Sequence, residues 1–244
     1  MTNMRRCLIG LLAAVVMSCA LAGCQSSAAQ YEFDTENMHF VQFETPSAHA
    51  PVANIETSIG TIQLLLFPEE APKACENFIG LVEKGFYNNT EFFNIEQGVA
   101  CIAGSLTNDG VSPSTIYDDQ KFDNEYSSNL WPFSGCVGTI SDEEGKSDSR
   151  FFLMGDVEVS QDMVDQMTDL NFPQAAIEKF QEVGGMPPFT QRYTIFGQLL
   201  SGQELVETII SSEVDGNKYP TGDPFVIESI TITTYEEAVK QAGE

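Results

Sequence analysis

Basic side chains are scarce: 11 Lys and Arg stand against 36 Asp and Glu in 244 residues, a formal net charge of −25. So acidic a chain repels the phosphate backbone, which excludes nucleic acid as a partner, and it repels anionic lipid headgroups as well. Histidine is rarer still, with His39 and His49 alone, and no CxxC or His-rich spacing occurs, so no donor set for zinc or iron is offered. The acidic turns Asp118-Asp119 and Asp142-Glu143-Glu144 lack the full pattern of a calcium loop and read as solvated surface. No metal and no cofactor is implied.

Cysteines are few after residue 24. Cys75, Cys101 and Cys136 are an odd number, so they cannot all pair within one chain, and each lies among apolar residues. Buried free thiols acting as small hydrophobes are the preferred reading, with one disulfide and a spare thiol as the alternative.

A long apolar run occurs at residues 8–20, behind Arg5 and Arg6 and ahead of Leu21-Ala22-Gly23-Cys24. A small-residue cleavage site that closes on cysteine is a lipoprotein signal. Residues 1–23 are then the signal peptide, and the Cys24 thiol carries a diacylglycerol unit. The alternative is an uncleaved membrane helix. Against it, residues 7–23 are at the short limit of roughly 17 residues for a span, and no Lys or Arg follows closely as a stop signal. The expectation is an extracytoplasmic protein, lipid-anchored to a bacterial membrane. Loss of Arg5 and Arg6 leaves nine basic against 36 acidic side chains, about −27, so the acyl chains must do the anchoring. The acidic surface reads first as a solvated one and second as a field that steers basic, unfolded exported chains.

Residues 24–51 read as a tether, Ser- and Ala-rich at 25–30, then acidic and aromatic at 31–44 with a possible edge strand. One domain follows at 52–235, and 236–244 form a C-terminal tail. Runs at 54–57 and 61–67 flank Ser58-Ile59-Gly60 as a hairpin. A helix at 71–84 places Ala74, Phe78, Leu81 and Val82 on one face and stops at Gly85. Short apolar or β-branched runs at 90–95, 99–103, 136–140, 151–154, 194–199 and 225–233 predict strands, and 203–210 a second helix. Within 156–189, Ser160 caps a helix through Met167, and Pro173 opens another that ends at Gly184-Gly185, a helical insertion. The pattern predicts a mostly β fold, a closed antiparallel barrel with helices over its ends.

Five ordered groups of residues carry a family resemblance. They are Gly60-Thr61-Ile62 with Leu66-Phe67-Pro68; Ala71-Pro72-Lys73 with Glu76-Asn77-Phe78; Gly85-Phe86-Tyr87 with Thr90; Ser149-Arg150-Phe151-Phe152-Leu153; and Tyr193-Thr194-Ile195-Phe196-Gly197-Gln198. Together they resemble the cyclophilins, the family of peptidyl-prolyl cis-trans isomerases. The insertion ending in Gly184-Gly185-Met186-Pro187 resembles one in some bacterial members. The resemblance implies a closed eight-stranded antiparallel β-barrel capped by two helices. It also implies proline-containing peptide segments, here of exported proteins, as partners.

The resemblance weakens where chemistry is done. The family's Phe-His-Arg reads Phe92-Phe93-Asn94, so the catalytic arginine is missing, and Asn94 is neutral, shorter and without a forked donor array. Phe-Met-Ile-Gln-Gly-Gly becomes Val99-Ala100-Cys101-Ile102-Ala103-Gly104, and the Ala-Asn wall becomes Ile140-Ser141. The flanking Trp and His correspond to Pro188 and Tyr193, with Phe189 where Leu is usual. Phe152 keeps its type and place at the pocket floor. Substrate contacts are thus implied at Phe93, Asn94, Val99, Ala100, Ile102, Ile140, Ser141, Phe152, Phe189 and Tyr193. Arg150 replaces a groove glutamine and is the candidate catalytic residue, either reaching the prolyl amide with Asn94 orienting it or merely paired with an acid such as Asp148 or Glu144.

Three functions follow. The chain is a membrane-tethered isomerase of exported proteins with weak or lost catalysis, a non-catalytic peptide- or protein-binding lipoprotein, or a scaffold. The first two need an open apolar slot around Phe152, Val99 and Phe189, whereas a slot filled by Tyr193, Ile102 and Ile140 favours the scaffold.

Overall fold

Apolar residues at 53, 55, 62, 64 and 66 alternate along the chain, and their side chains meet in one core beneath the hairpin of β1 (Pro51–Thr57) and β2 (Gly60–Leu66). The turn between them is closed by Thr57, whose hydroxyl donates to the Gly60 carbonyl at 2.6 Å. The computed structural model describes residues 32–242, so Cys24 and the signal peptide lie outside it. No helix among the described residues is long and apolar enough to cross a membrane.

Eight further strands extend the hairpin: β3 (Thr90–Glu91), β4 (Asn94–Glu96), β5 (Ala100–Ala103), β6 (Phe122–Asp123), β7 (Cys136–Ser141), β8 (Lys146–Met154), β9 (Ile195–Ser201) and β10 (Val226–Thr234). Their order across the sheet is β3-β10-β1-β2-β9-β7-β8-β5-β4, with β6 on β8, and the paired strands run antiparallel. The two ends of this path are pieces of one extended run at 90–96. Phe92 donates its N–H to Phe225 at 3.0 Å and Phe93 to Ile102 at 2.9 Å, so that run passes the sheet from β10 to β5. With β3 and β4 taken as one strand and β6 as a two-residue addition, the described residues form a mostly β fold of eight principal strands.

Helix α1 (Pro72–Glu83) buries Ala74, Phe78, Leu81 and Val82 against this core. Its first turn has no capping side chain of its own. The Glu125 carboxylate, from a distant loop, accepts from the Lys73 and Ala74 amides at 3.1 and 3.0 Å. Pro72 begins the helix, where its missing N–H costs nothing. The insertion contains α2 (Gln161–Asp169) and α3 (Gln174–Val183), and the Ser160 hydroxyl caps α2 by accepting from Met163 at 3.3 Å. Helix α4 (Gln203–Ile210) buries Val206, Ile209 and Ile210.

Three expectations are revised. Strand β8 starts at Lys146, well before 151, because Lys-Ser-Asp-Ser-Arg hides a strand whose polar groups bond one another, as Ser147 does with Thr139 at 2.6 Å. Residues 236–244, read as a tail, contribute most of a helix, α5 (Tyr235–Ala242), and Ala238 packs on Val52 and Leu65. Finally, the described part of 31–44 forms no strand. It carries a short 3-10 turn (Val41–Phe43) and stacks its aromatics on a loop: Phe33 on Trp131 at 4.5 Å, Phe40 on Phe133 at 5.3 Å. Gln42, 7% exposed, explains why no ladder forms. Its amide donates to Trp131 O at 3.0 Å and Gln198 Oε1 at 2.8 Å and accepts from Trp131 N at 2.9 Å.

That strap and the insertion share a second core of Trp131, Phe133, Met167, Ala176, Ile177 and Phe180. The return from α3 to this loop requires glycine at 185, where φ is 131° and an added Cβ would stand 2.4 Å from Pro132 O. Cys75, Cys101 and Cys136 are buried free thiols. Burial pushes the Cys75 thiol up to about 12 and raises the other two as well, so all three act as small hydrophobes.

Candidate functional site

Strand register assembles the site. Asn94 on β4 stands opposite Ile102 on β5, Ile102 opposite Phe152 on β8, and Phe152 opposite Gly138 on β7. Residues directly opposed across antiparallel strands share a face, so these four form one row. Ala100 and Arg150, two residues along from Ile102 and Phe152, lie on the same face. The other face belongs to Phe151, whose ring meets Phe78 and Tyr87 at 5.5 and 5.6 Å in the barrel core.

Phe152 is held from both sides. At Gly138 an added Cβ would come 2.4 Å from Phe152 Cζ, so the absent side chain makes room for the ring. Above it, Phe189 and Tyr193 meet Phe152 edge-on at 5.5 and 5.6 Å and each other at 5.0 Å. Both covering rings come from the exit of the insertion, through a 3-10 turn (Pro187–Phe189). Phe152 is only 2% exposed. Val99, Ile102 and Ile140 are half-buried against the main core and Ala100 is buried. Of the slot residues, Ile102, Phe152, Phe189 and Tyr193 are brought together, with Phe152 covered by Phe189 and Tyr193.

Three nominated residues have partners of their own. Phe93 packs its ring against Gly110, where an added Cβ would be 2.7 Å from Phe93 Cε2 and whose carbonyl accepts from Arg150 Nη1. Ser141 donates its hydroxyl to Asn124 Oδ1 at 2.9 Å. Asn94 donates its amide to Asn217 O at 3.2 Å, beside Ile95 N–H bonded to Lys218 O at 2.9 Å and an ion pair of Lys218 with Glu96. The Asn94 amide therefore turns to a loop 123 residues away instead of orienting Arg150.

Arg150 pairs with Asp148. Its Nε and Nη2 donate to Asp148 Oδ1 and Oδ2 at 2.9 and 2.7 Å, its backbone N–H donates to Oδ1 at 3.0 Å, and Nη1 donates to Gly110 O at 3.3 Å. The Asp148 side chain is 2% exposed and that of Arg150 is 22%. Lys121 Nζ lies 3.9 Å from Asp148 and 2.9 Å from Asp142, whose carboxyl its hydrogen bond holds below the usual carboxylate range. Of these features Gly138, Gly110 and Asn217 were not singled out from sequence. Gly138 alone left a trace, a glycine inside a strand, which marks close approach of another group.

Residues 52–232 match the family model described as cyclophilin type peptidyl-prolyl cis-trans isomerase/CLD. A Staphylococcus aureus protein described as a putative peptidyl-prolyl cis-trans isomerase is 32% identical over 178 residues, covering 73% of this chain and 89% of the relative. A Staphylococcus epidermidis protein of the same description is 31% identical over the same coverage. A crystal structure of a Cryptosporidium parvum cyclophilin type peptidyl-prolyl cis-trans isomerase, in the presence of the dipeptide Ala-Pro, superposes with a TM-score of 0.60 at 25% identity, covering 75% of this chain and 99% of that one.

Proposed function

Because the chain belongs to the cyclophilin-type peptidyl-prolyl cis-trans isomerase family, we propose that it is a lipid-tethered isomerase of proline-containing segments in exported proteins, working well below the usual rate of the family. The observation that carries this reading is the row Asn94–Ile102–Phe152, in which the ring-binding floor is kept while position 94 offers an amide already bonded to Asn217. Rotation about the prolyl bond faces a barrier of about 18–20 kcal/mol from amide resonance, and a donor made available only to the twisted amide lowers it. Removing one such donor costs about 2.7–4 kcal/mol, a hundredfold to a thousandfold in rate. Supporting a proline-containing ligand is the Ala-Pro dipeptide present with the Cryptosporidium relative. A second reading, a silent peptide-binding lipoprotein, is favoured by Asn94, which stands in place of a guanidinium and already donates to Asn217 O, whereas the 2% exposure of Phe152 beneath Phe189 and Tyr193 favours the scaffold.

The mature chain from Cys24 is expected to accelerate isomerisation of a proline tetrapeptide at a kcat/KM about a hundredfold below a cyclophilin that retains the arginine. A rate equal to the control would overturn the reading of position 94. Saturable peptide binding without acceleration would establish the binder, and neither would leave a scaffold. The lipid is tested separately: Cys24→Ser in the full chain is expected to move the protein from the membrane fraction to the soluble one. A variant that stays with the membrane would refute the anchor.

A further inference from the structure

We infer that Asp148 is a positioning residue that presents Arg150 to the groove as its amide-facing donor, so that β8 supplies the guanidinium missing from position 94; this rests on the isomerase reading above. A guanidinium has five N–H donors. Asp148 takes those of Nε and one on Nη2, and Gly110 takes one on Nη1. One N–H therefore remains on each terminal nitrogen, on a side chain that is 22% exposed.

The pairing is built for direction. A bidentate fork fixes the guanidinium plane far more closely than a single contact does. Carrying the Asp148 carboxylate to 2% exposure has a large desolvation cost, which a surface ion pair would avoid. Gly104 leaves β5 just beyond the Ala103–Phe151 pair, next to Arg150. Its φ of 94° and the 2.3 and 2.9 Å that would separate an added Cβ from Ser149 O and Arg150 Cα require glycine there, so the chain at 104 packs directly on the backbone that carries the arginine. Arg150 lies on the face of Phe152, roughly 6.6 Å along the strand. A proline ring admitted to Phe152 by movement of Phe189 and Tyr193 would thus bring its amide within one side chain's reach of the fork.

The chemistry needs no covalent step. As the prolyl amide twists, its nitrogen lone pair leaves conjugation and becomes an acceptor, and the guanidinium donates to it while keeping its proton. Such a bond forms only in the transition state, so it acts on kcat. A purely structural Arg150, bracing the loop at Gly110, would instead change stability or KM.

The test is made in the mature chain with a proline tetrapeptide. Arg150→Lys, which keeps the charge but loses the fork, and Asp148→Asn, which keeps the shape, are each expected to lower kcat tenfold or more with KM within about twofold. Added guanidinium is expected to restore part of the rate of Arg150→Ala. In the wild type, which needs no variant to fold, the Arg150 Nε–H resonance is expected to shift on titration with the same peptide. An active wild type whose variants keep kcat, or change only KM or melting temperature, or whose Arg150 resonance stays still, overturns the role of Arg150 and leaves the isomerase reading standing. An inert wild type overturns both.

Discussion

Asn94→Arg combined with Ile102→Gln is expected to raise kcat/KM for prolyl isomerisation by about a hundredfold, read in a coupled assay against the unaltered mature chain. Position 94 is half-buried and directly opposite 102, so a glutamine amide there lies beside an arginine at 94 and can hold its plane. The bond given up, Asn94 to Asn217 O, is an exposed one, and its loss costs little. The Arg150–Asp148 pair stays intact and nearly neutral, so the new cation meets no strong repulsion. Adding Arg150→Gln to complete the family pattern has the opposite effect on the fold. Asp148 would keep only its backbone bond and a Lys121 ammonium 3.9 Å away, and stranding a buried carboxylate costs about 3–5 kcal/mol. The triple variant is therefore expected to melt well below the double one. If the double variant is no faster than the parent, the absent donor at 94 does not limit the reaction, and either the covering rings of Phe189 and Tyr193 or a donor already supplied by Arg150 accounts for the result.

How much of this could be read from the chain depends on how far apart the interacting residues are. Helix α4 at 203–210 and the β1–β2 hairpin follow from local periodicity, and Ser160 announces α2 by its own capping bond. Phe152 was singled out because it belongs to a contiguous motif, and Asp148 was a foreseeable partner because residues two apart in a strand share a face. By contrast the first half of β8 is polar, and its satisfaction by Thr139 and Asn124 exists only after folding. The Asn94–Asn217 bond spans 123 residues, and Gln42 reaches Trp131 across 89. An acidic, aromatic segment reads as tether or edge strand until its partners are in place. No pattern inside 31–44 states that one glutamine will close the amide and carbonyl of a buried tryptophan.

Trp131→Ala is expected to cost about 3–5 kcal/mol, and the loss should be local before it is global. The indole is fully buried, stacks on Phe33 at 4.5 Å, meets Phe172 and Phe180 at 5.8 and 6.2 Å, and donates Nε1–H to Ser128 O at 2.8 Å. These contacts join the strap at 32–43 to α2 and α3, while the barrel has its own core around Phe78, Phe151 and Phe196. Hydrogen exchange should therefore show amides at 32–43 and 161–183 losing protection while those of β1, β2 and β9 keep it. Because Trp131 is the single tryptophan, its emission in the parent protein reports this second core alone, and stepwise denaturation should shift it before the far-ultraviolet signal of the strands falls. Uniform loss of protection would show instead that strap, insertion and barrel unfold as one unit. The distinction bears on the groove, since Phe189 and Tyr193 leave the insertion just beyond Gly185, whose amide is bonded to Val157 O at 2.8 Å. When the second core loosens, the two rings over Phe152 lose their support, so Trp131→Ala should also weaken peptide binding although Trp131 is outside the row proposed to bind it.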